Sequence, residues 1–139
     1  MEQHRPLRDK EQFDFAKLFY PDIKGATDID FIYERNGQFL VIEFKETNLL
    51  NLKVSVSFGQ FLALKKLWEK GFVVYYIFKH APNYFTPVHM QTLKDKNYRY
   101  DDFNKAVVDI DLYQYTKCTL FQIKALVKTV CNDFESLNS

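Results

Sequence analysis

The sequence predicts an α/β protein in which a central mixed β-sheet is flanked by α-helices. Two strand-like runs surround an Asn-Gly dipeptide, as in a β-hairpin. Two amphipathic helical patterns follow, and the apolar run FVVYYIF between them has the character of a strand buried on both faces. Because strands and helices alternate along a chain of 139 residues, we expect a single domain, 1–139, with helices packed on the sheet.

Composition and cysteine content limit the classes to which the protein can belong. A hydrophobic content of 47% is ample for a packed core, and a net charge of +1 gives no overall basic field that would indicate nucleic acid, although a local patch stays open. Cys118 and Cys131 lie in one helical pattern, roughly 20 Å apart along the helix, which is too far for a disulfide. We therefore expect reduced thiols and a cytoplasmic protein, and no apolar run suggests a membrane.

The first predicted element is a helix, RDKEQFDFAKLFY, which ends before Pro21. Its apolar side carries Phe15, Leu18 and Phe19. The sequence PDIKG predicts a turn that leads into the hairpin.

The hairpin pattern extends over TDIDFIY and QFLVIEFK, with Asn36 and Gly37 at the turn. A type I′ turn needs a positive φ at both central residues, and Asn-Gly is the strongest short signal for it. That turn fixes which residues of the two strands face each other. The predicted pairs are Arg35–Gln38, Tyr33–Leu40, Ile32–Val41, Phe31–Ile42, Asp30–Glu43, Ile29–Phe44 and Asp28–Lys45.

Side chains alternate across a strand, so the register also assigns the two faces of the hairpin. One face carries the apolar residues Ile29, Phe31, Tyr33, Leu40, Ile42 and Phe44. The other carries Ile32 and Val41 near the turn, followed by Asp30, Glu43, Asp28 and Lys45. Facing carboxylates repel, and a divalent cation bound between them would explain the pattern. A solvated edge with an ordinary cross-strand ion pair explains it as well.

The elements after the hairpin are a helix and a strand. TNLLNLKVSVS fits either a loop or a loop with a short strand near 52–56. SFGQFLALKKLWEKG predicts a helix with an apolar stripe of Phe61, Leu64 and Trp68, and Gly71 stands where a helix commonly ends. FVVYYIF then predicts the buried strand.

The rest of the chain has weaker patterns. Residues 79–105 predict a loop with a strand around 88–93, and TLFQIKALVKTVCNDFESL predicts a C-terminal amphipathic helix. The motif DID recurs at Asp109 and Asp111 without a second Glu-x-Lys strand, which we interpret as chance. The histidines show no zinc-like spacing, and no phosphate-binding glycine loop or nucleophile elbow is present in the sequence.

Asp30, followed on the next strand by Glu43 and Lys45 in IEFK, resembles the PD-(D/E)XK nuclease superfamily. That superfamily includes restriction endonucleases, archaeal-type Holliday-junction resolvases and recombination exonucleases. The sequence GATDID is similar to the Gly-x-x-Asp-x-Asp run of the exonucleases, which favours Asp30 over Asp28 as the ligand. The resemblance covers about residues 25–78, although the strand that usually precedes the Asp-bearing one has no good candidate here.

The resemblance implies a restriction-endonuclease-like core and a set of roles. Asp30 and Glu43 would hold Mg²⁺ or Mn²⁺, with the backbone carbonyl of Phe44 as a third ligand. Lys45 would orient the attacking water and offset developing negative charge. Gln60, on the following helix, would contact that water or a DNA phosphate; an exposed structural glutamine is the alternative.

Further residues are candidates for accessory roles. Glu11, on the first helix, matches a Glu that many members carry, although any helix of this composition offers one. Asp28 is a second possible accessory acid. The basic residues that we expect to contact DNA are Lys53, Lys65, Lys66 and Lys79, and after them Lys70, Lys94, Lys96 and Arg99.

The sequence thus predicts a metal-dependent deoxyribonuclease that acts in recombination, replication or repair, either as a homodimer or within a phage-type assembly. Two alternatives stay open. One is a nucleic-acid-binding module that kept the fold without cleavage, and the other is a protein-interaction domain with a charged hairpin, which the near-neutral net charge favours.

Overall fold

The computed structural model describes residues 29–47, 52–81 and 83–136. The strands in these residues are β1 (Phe31–Arg35), β2 (Gln38–Glu46), β3 (Lys53–Ser57), β4 (Val73–Ala81), β5 (Tyr84–His89), β6 (Arg99–Tyr100), β7 (Ala106–Asp111) and β8 (Cys118–Thr119). The helices are α1 (Phe58–Glu69) and α2 (Leu120–Ser136), and short 3-10 turns span Met90–Leu93 and Leu112–Gln114. The predicted mixed α/β class is confirmed. The predicted N-terminal helix and the turn after it lie outside the described residues.

The hairpin forms around the predicted turn. Asn36 and Gly37 have φ angles of 57° and 78°, which is the backbone that a type I′ turn requires. The pairing of β1 with β2 runs from Arg35–Gln38 to Phe31–Ile42 in the predicted register, which is thereby confirmed over the length of β1.

The larger sheet has the strand order β1-β2-β4-β5-β8. Strands β2 and β4 are parallel neighbours, whereas the other neighbouring pairs are antiparallel, so the sheet is mixed. The chain between the two parallel strands passes through β3 and α1. This connection brings the start of α1 back to the end of β2 that carries Glu43.

The two helices cover opposite faces of this sheet and create two separate cores. The core on the α1 side contains Val41, Val56, Phe61, Leu64, Val74, Tyr76, Phe78, Val88, Met90, Leu93, Val108, Ile110 and Leu112. The core on the α2 side contains Leu40, Ile42, Ile77, Ile123 and Phe134. Alternate residues of β2 and β4 therefore point into different cores, which is why FVVYYIF is apolar throughout, as a strand buried on both faces must be.

A second, antiparallel sheet has the order β3-β7-β6 and adds Val56, Val108 and Ile110 to the α1-side core. Its other face is polar, and there Asp109 accepts hydrogen bonds from Ser55 at 2.7 Å and from Arg99 at 3.0 Å. The segment 52–56, which the sequence left ambiguous, is thus a strand.

Four expectations about single elements need correction. Ile29 packs against the α1-side core and not with the apolar face of the hairpin, because β1 begins only at Phe31 and the alternation does not extend to Ile29. Cys118 lies in β8 and not in the C-terminal helix, although both cysteines are free. The strand expected around 88–93 is β5, which ends at His89 before a 3-10 turn. The segment 79–105 as a whole contains more regular structure than a loop.

Candidate metal centre

Two of the predicted site residues, Lys45 and Gln60, contact the carboxylate of a third, Glu43. Glu43 and Lys45 lie two residues apart on β2 and share the face that α1 covers, while Gln60 lies in the first turn of α1. The Gln60 Nε2 atom donates a hydrogen bond of 2.8 Å to Glu43 Oε2, and the Lys45 Nζ atom lies 3.7 Å from the same oxygen. Ser57 caps the helix by accepting a hydrogen bond from the Gln60 backbone N–H at 3.3 Å, which fixes the turn that carries the amide.

Asp30 completes the group from the neighbouring chain segment. The β1–β2 ladder ends at Phe31–Ile42, one step before the expected Asp30–Glu43 pair. Asp30 instead turns its side chain to the end of the hairpin, where Oδ2 accepts a hydrogen bond of 2.9 Å from the backbone N–H of Phe44. Its charge still acts on Glu43 and raises the pKa of that carboxyl. Asp30, Glu43 and the peptide unit of Phe44 are therefore neighbours, although Asp30 and Glu43 do not form the cross-strand pair that the sequence predicted.

Glu43 has the most perturbed carboxyl of the site. It is only 7% exposed, and this burial, followed by the charge of Asp30, raises its pKa from 4.5 to about 7. The charge of Lys45 and hydrogen bonds from Gln60 and the Asp30 backbone act in the opposite direction and lower the pKa. A buried carboxylate that is held next to a second carboxylate is typical of functional sites and of cation sites.

The oxygen atoms of the site fit a hard divalent cation. The carboxylates of Asp30 and Glu43 lie close enough for the charge of Asp30 to raise the pKa of Glu43. Mg²⁺ and Mn²⁺ prefer such oxygen ligands, and Mg²⁺ keeps several waters when few carboxylates are available. Within the described ranges, no cluster of three or more His, Cys, Asp or Glu side chains occurs, so the Phe44 carbonyl and water would have to complete the coordination.

A cleft opens beside the site at the carboxyl end of the parallel strands. Its volume is about 360 Å³. The residues that line it are Asp30, Phe44, Lys45, Glu46, Ile77, Lys79 and Phe85. Ligands of α/β sheets commonly bind outside the carboxyl ends of the strands. Of the candidate centre, Asp30, Phe44 and Lys45 line this cleft together with Lys79, whereas Glu43 does not.

The other predicted DNA contacts lie elsewhere. Lys65 and Lys66 are on α1, whereas Lys53 lines a groove of about 390 Å³ on the polar face of the second sheet, together with Lys96 and Arg99. Arg99 is held by Asp109 in that groove, which lowers the pKa of the aspartate. Of the four basic residues first named, Lys79 lines the cleft with Asp30. The accessory candidates Glu11 and Asp28 lie outside the described residues.

Comparison of the chain with models of protein families gives no match, and no curated protein sequence matches it either. In the described part of the chain, neither helix is long and apolar enough to cross a bilayer.

One residue of the site was missed in the sequence. Tyr76 on β4 lies directly beside Glu43 in the parallel pairing of β2 with β4 and points into the same face of the sheet. It stands inside an apolar run, and aromatic residues in such runs are usually core. Tyr76 can be recognised as a neighbour of Glu43 only from the β2–β4 register, which joins segments that are distant in sequence.

Proposed function

We propose that the protein is a Mg²⁺- or Mn²⁺-dependent deoxyribonuclease with a PD-(D/E)XK-type site on a restriction-endonuclease-like core. The observation that carries the proposal is the convergence of Asp30, Lys45 and Gln60 on Glu43 beside an open cleft. The mixed sheet supports the fold assignment, because a hairpin, a Gln-bearing helix and a buried strand follow one another in the order that the resemblance requires. The free cysteines support a cytoplasmic setting.

The residues of the site have separable roles in phosphodiester hydrolysis. Asp30, Glu43 and the Phe44 carbonyl would hold the cation, which when bound polarises the phosphate and lowers the pKa of water. Lys45 borders the cleft, where its ammonium group orients the attacking water and offsets the negative charge that develops on the phosphate. Lys79 lines the same cleft, where its charge would contact a phosphate of a bound strand. Gln60 holds Glu43 in place through its amide N–H.

The experiment that tests this proposal is incubation of the purified protein with linear, circular and branched DNA, with Mn²⁺, with Mg²⁺ and with chelator. We expect cleavage that depends on the cation. DNA binding without cleavage under all conditions would instead support a binding module, and the absence of salt-dependent DNA binding would support a protein-interaction domain. A sedimentation measurement on the same sample tests the homodimer.

Gln60→Ala tests the connection between α1 and the site. Because the Gln60 amide lowers the pKa of Glu43, its loss leaves more of that carboxyl protonated at neutral pH, and we expect cleavage to fall at pH 7 and to recover at pH 8.5. The pH–rate profile of cleavage measures this change.

The matched control is Gln114→Ala, an exposed glutamine in the second 3-10 turn, which should leave the profile unchanged. If Gln60→Ala has the wild-type profile, Gln60 is only a structural residue of the helix.

A further inference from the structure

Buried polar atoms without partners concentrate around Glu43. Three buried side-chain atoms in the described ranges have no hydrogen-bond partner: Gln60 Oε1, Tyr76 Oη and His80 Nδ1. The first belongs to the amide that donates to Glu43, and the second belongs to the residue beside Glu43 on the neighbouring strand. Buried hydroxyl and amide groups in proteins are almost always hydrogen-bonded, so two such atoms next to one carboxylate require an explanation.

Tyr76 is buried, so bulk water cannot hydrogen-bond to its hydroxyl. It is 0% exposed, and its ring packs on Phe78 with centroids 5.7 Å apart. Burial and, after it, the charge of Glu43 raise the pKa of the Tyr76 phenol. The hydroxyl therefore keeps its proton and is available to donate a hydrogen bond. The Tyr76 hydroxyl is therefore a hydrogen-bond donor that makes no direct hydrogen bond to the neighbouring Glu43.

A single water between the three groups would satisfy all of them. A buried water normally makes about three hydrogen bonds to polar groups that would otherwise be unsatisfied. Here it would accept the O–H of Tyr76, donate one hydrogen to Gln60 Oε1 and donate the other to the Glu43 carboxylate. All three groups then have partners, and the carboxylate gains a second fixed contact besides the amide of Gln60.

We propose that Tyr76 is a positioning residue for Glu43, and that its hydroxyl and the Gln60 amide oxygen hold one buried water against the Glu43 carboxylate. The proposal rests on the proposed function, because the orientation of Glu43 matters only if Glu43 holds a cation. Partners that hold metal ligands from behind commonly change metal affinity by 10- to 100-fold when they are removed, as carboxylates are oriented by what hydrogen-bonds to them.

The test is isothermal titration of the protein with Mn²⁺, in the absence of DNA, for the wild type, Tyr76→Phe and Tyr75→Phe. Tyr76→Phe removes only the hydroxyl, and we expect it to bind Mn²⁺ about tenfold more weakly with a melting temperature in chelator close to that of the wild type. Tyr75 is the adjacent residue of β4 and points to the opposite face, so Tyr75→Phe should bind Mn²⁺ like the wild type.

A double variant separates positioning from packing. If Tyr76 and Gln60 act through one water, the loss of Mn²⁺ affinity in Tyr76→Phe/Gln60→Ala is smaller than the sum of the losses in the two single variants. Independent packing effects would add. A wild-type protein that binds and cleaves with Mn²⁺, combined with unchanged affinity in Tyr76→Phe, overturns the role of Tyr76 and leaves the nuclease proposal standing. A wild-type protein that binds no Mn²⁺ overturns both.

A crystal structure of the wild type decides the case if Tyr76→Phe does not fold. We expect a water within about 3.2 Å of both Tyr76 Oη and Gln60 Oε1. Density that shows no such water, or that shows Tyr76 bonded to another group, contradicts the proposal.

Discussion

Lys45→Met is expected to reduce the rate of DNA cleavage by at least about 100-fold, the contribution that a positioned proton-transfer or water-orienting group commonly makes. Lys45 borders the cleft, and its Nζ atom lies 3.7 Å from Glu43 Oε2, so its ammonium group is placed to act on water beside the candidate cation site. Methionine keeps the unbranched stem and removes the charge. The measurement is the single-turnover rate at saturating DNA and Mn²⁺.

Two control variants separate chemistry from binding. Lys79 lines the same cleft, and Lys79→Met should weaken DNA binding and lower its salt dependence by about one unit of slope, with little change in the single-turnover rate. Lys128 is exposed on α2 and does not line the cleft, and Lys128→Met should change neither quantity. A Lys45→Met variant that cleaves at nearly the wild-type rate would exclude the proposed role.

An indirect effect of Lys45 can be distinguished by pH. The charge of Lys45 lowers the pKa of Glu43, so its removal also makes that carboxyl harder to ionise. If Lys45 acted only in this way, the deficit of Lys45→Met would disappear as the pH rises to about 9. A deficit that persists at high pH requires a direct action on water or phosphate.

The hairpin could be predicted because all the information is local. The two central turn residues are adjacent in sequence, their φ angles of 57° and 78° are those that Asn and Gly tolerate, and a two-residue turn leaves one register. The spacing of Glu43 and Lys45 on one face follows from the same alternation. The prediction was wrong at Ile29, since the alternation holds only where the ladder continues and the ladder ends at Phe31.

The second sheet could not be predicted because its pairing is non-local. Strand β3 pairs with β7, which lies about fifty residues further along the chain, and the short run KVSVS contains no signal that identifies its partner. Asp109, whose motif appeared to be a chance repeat, serves this sheet by accepting hydrogen bonds from Ser55 and Arg99. Local patterns thus predicted the order of elements around the site better than their assembly into sheets.

In the candidate site, too, local contacts could be predicted from the sequence and non-local contacts could not. Asp30 and Glu43 lie on adjacent segments of one hairpin, so their proximity was predictable. The contact of Gln60 with Glu43 depends on the path of the chain through β3 and α1, and the sequence offered it as one of two alternatives. The parallel pairing of β2 with β4, which no local pattern encodes, places Tyr76 beside Glu43 and Lys79 beside Glu46.

Glu43→Gln is expected to stabilise the metal-free protein at alkaline pH by about 3 kcal/mol, since one pKa unit corresponds to about 1.4 kcal/mol. The pKa of Glu43 is about 7 in the folded protein and 4.5 without the burial and the neighbouring charge. The folded state therefore binds more protons than the unfolded state between these values, and wild-type stability falls as the pH rises from 4.5 through 7. Glutamine keeps the shape and cannot ionise. The measurement is chemical unfolding in chelator from pH 4.5 to 8.5.

Glu69→Gln is the matched control for the loss of a carboxyl, because Glu69 is exposed at the end of α1. Mn²⁺ should narrow the difference in stability between the other two proteins. A cation that binds only the folded state stabilises the wild type by about 2.7 kcal/mol at 100 times its dissociation constant, whereas Glu43→Gln has lost a charged ligand and should gain much less. A difference between Glu43→Gln and the wild type that stays constant from pH 4.5 to 8.5 would mean that Glu43 is not buried against Asp30. An equal gain from Mn²⁺ in both proteins would place the cation elsewhere. Because the two readouts test burial and coordination separately, a failure of either one identifies which part of the proposed centre is wrong.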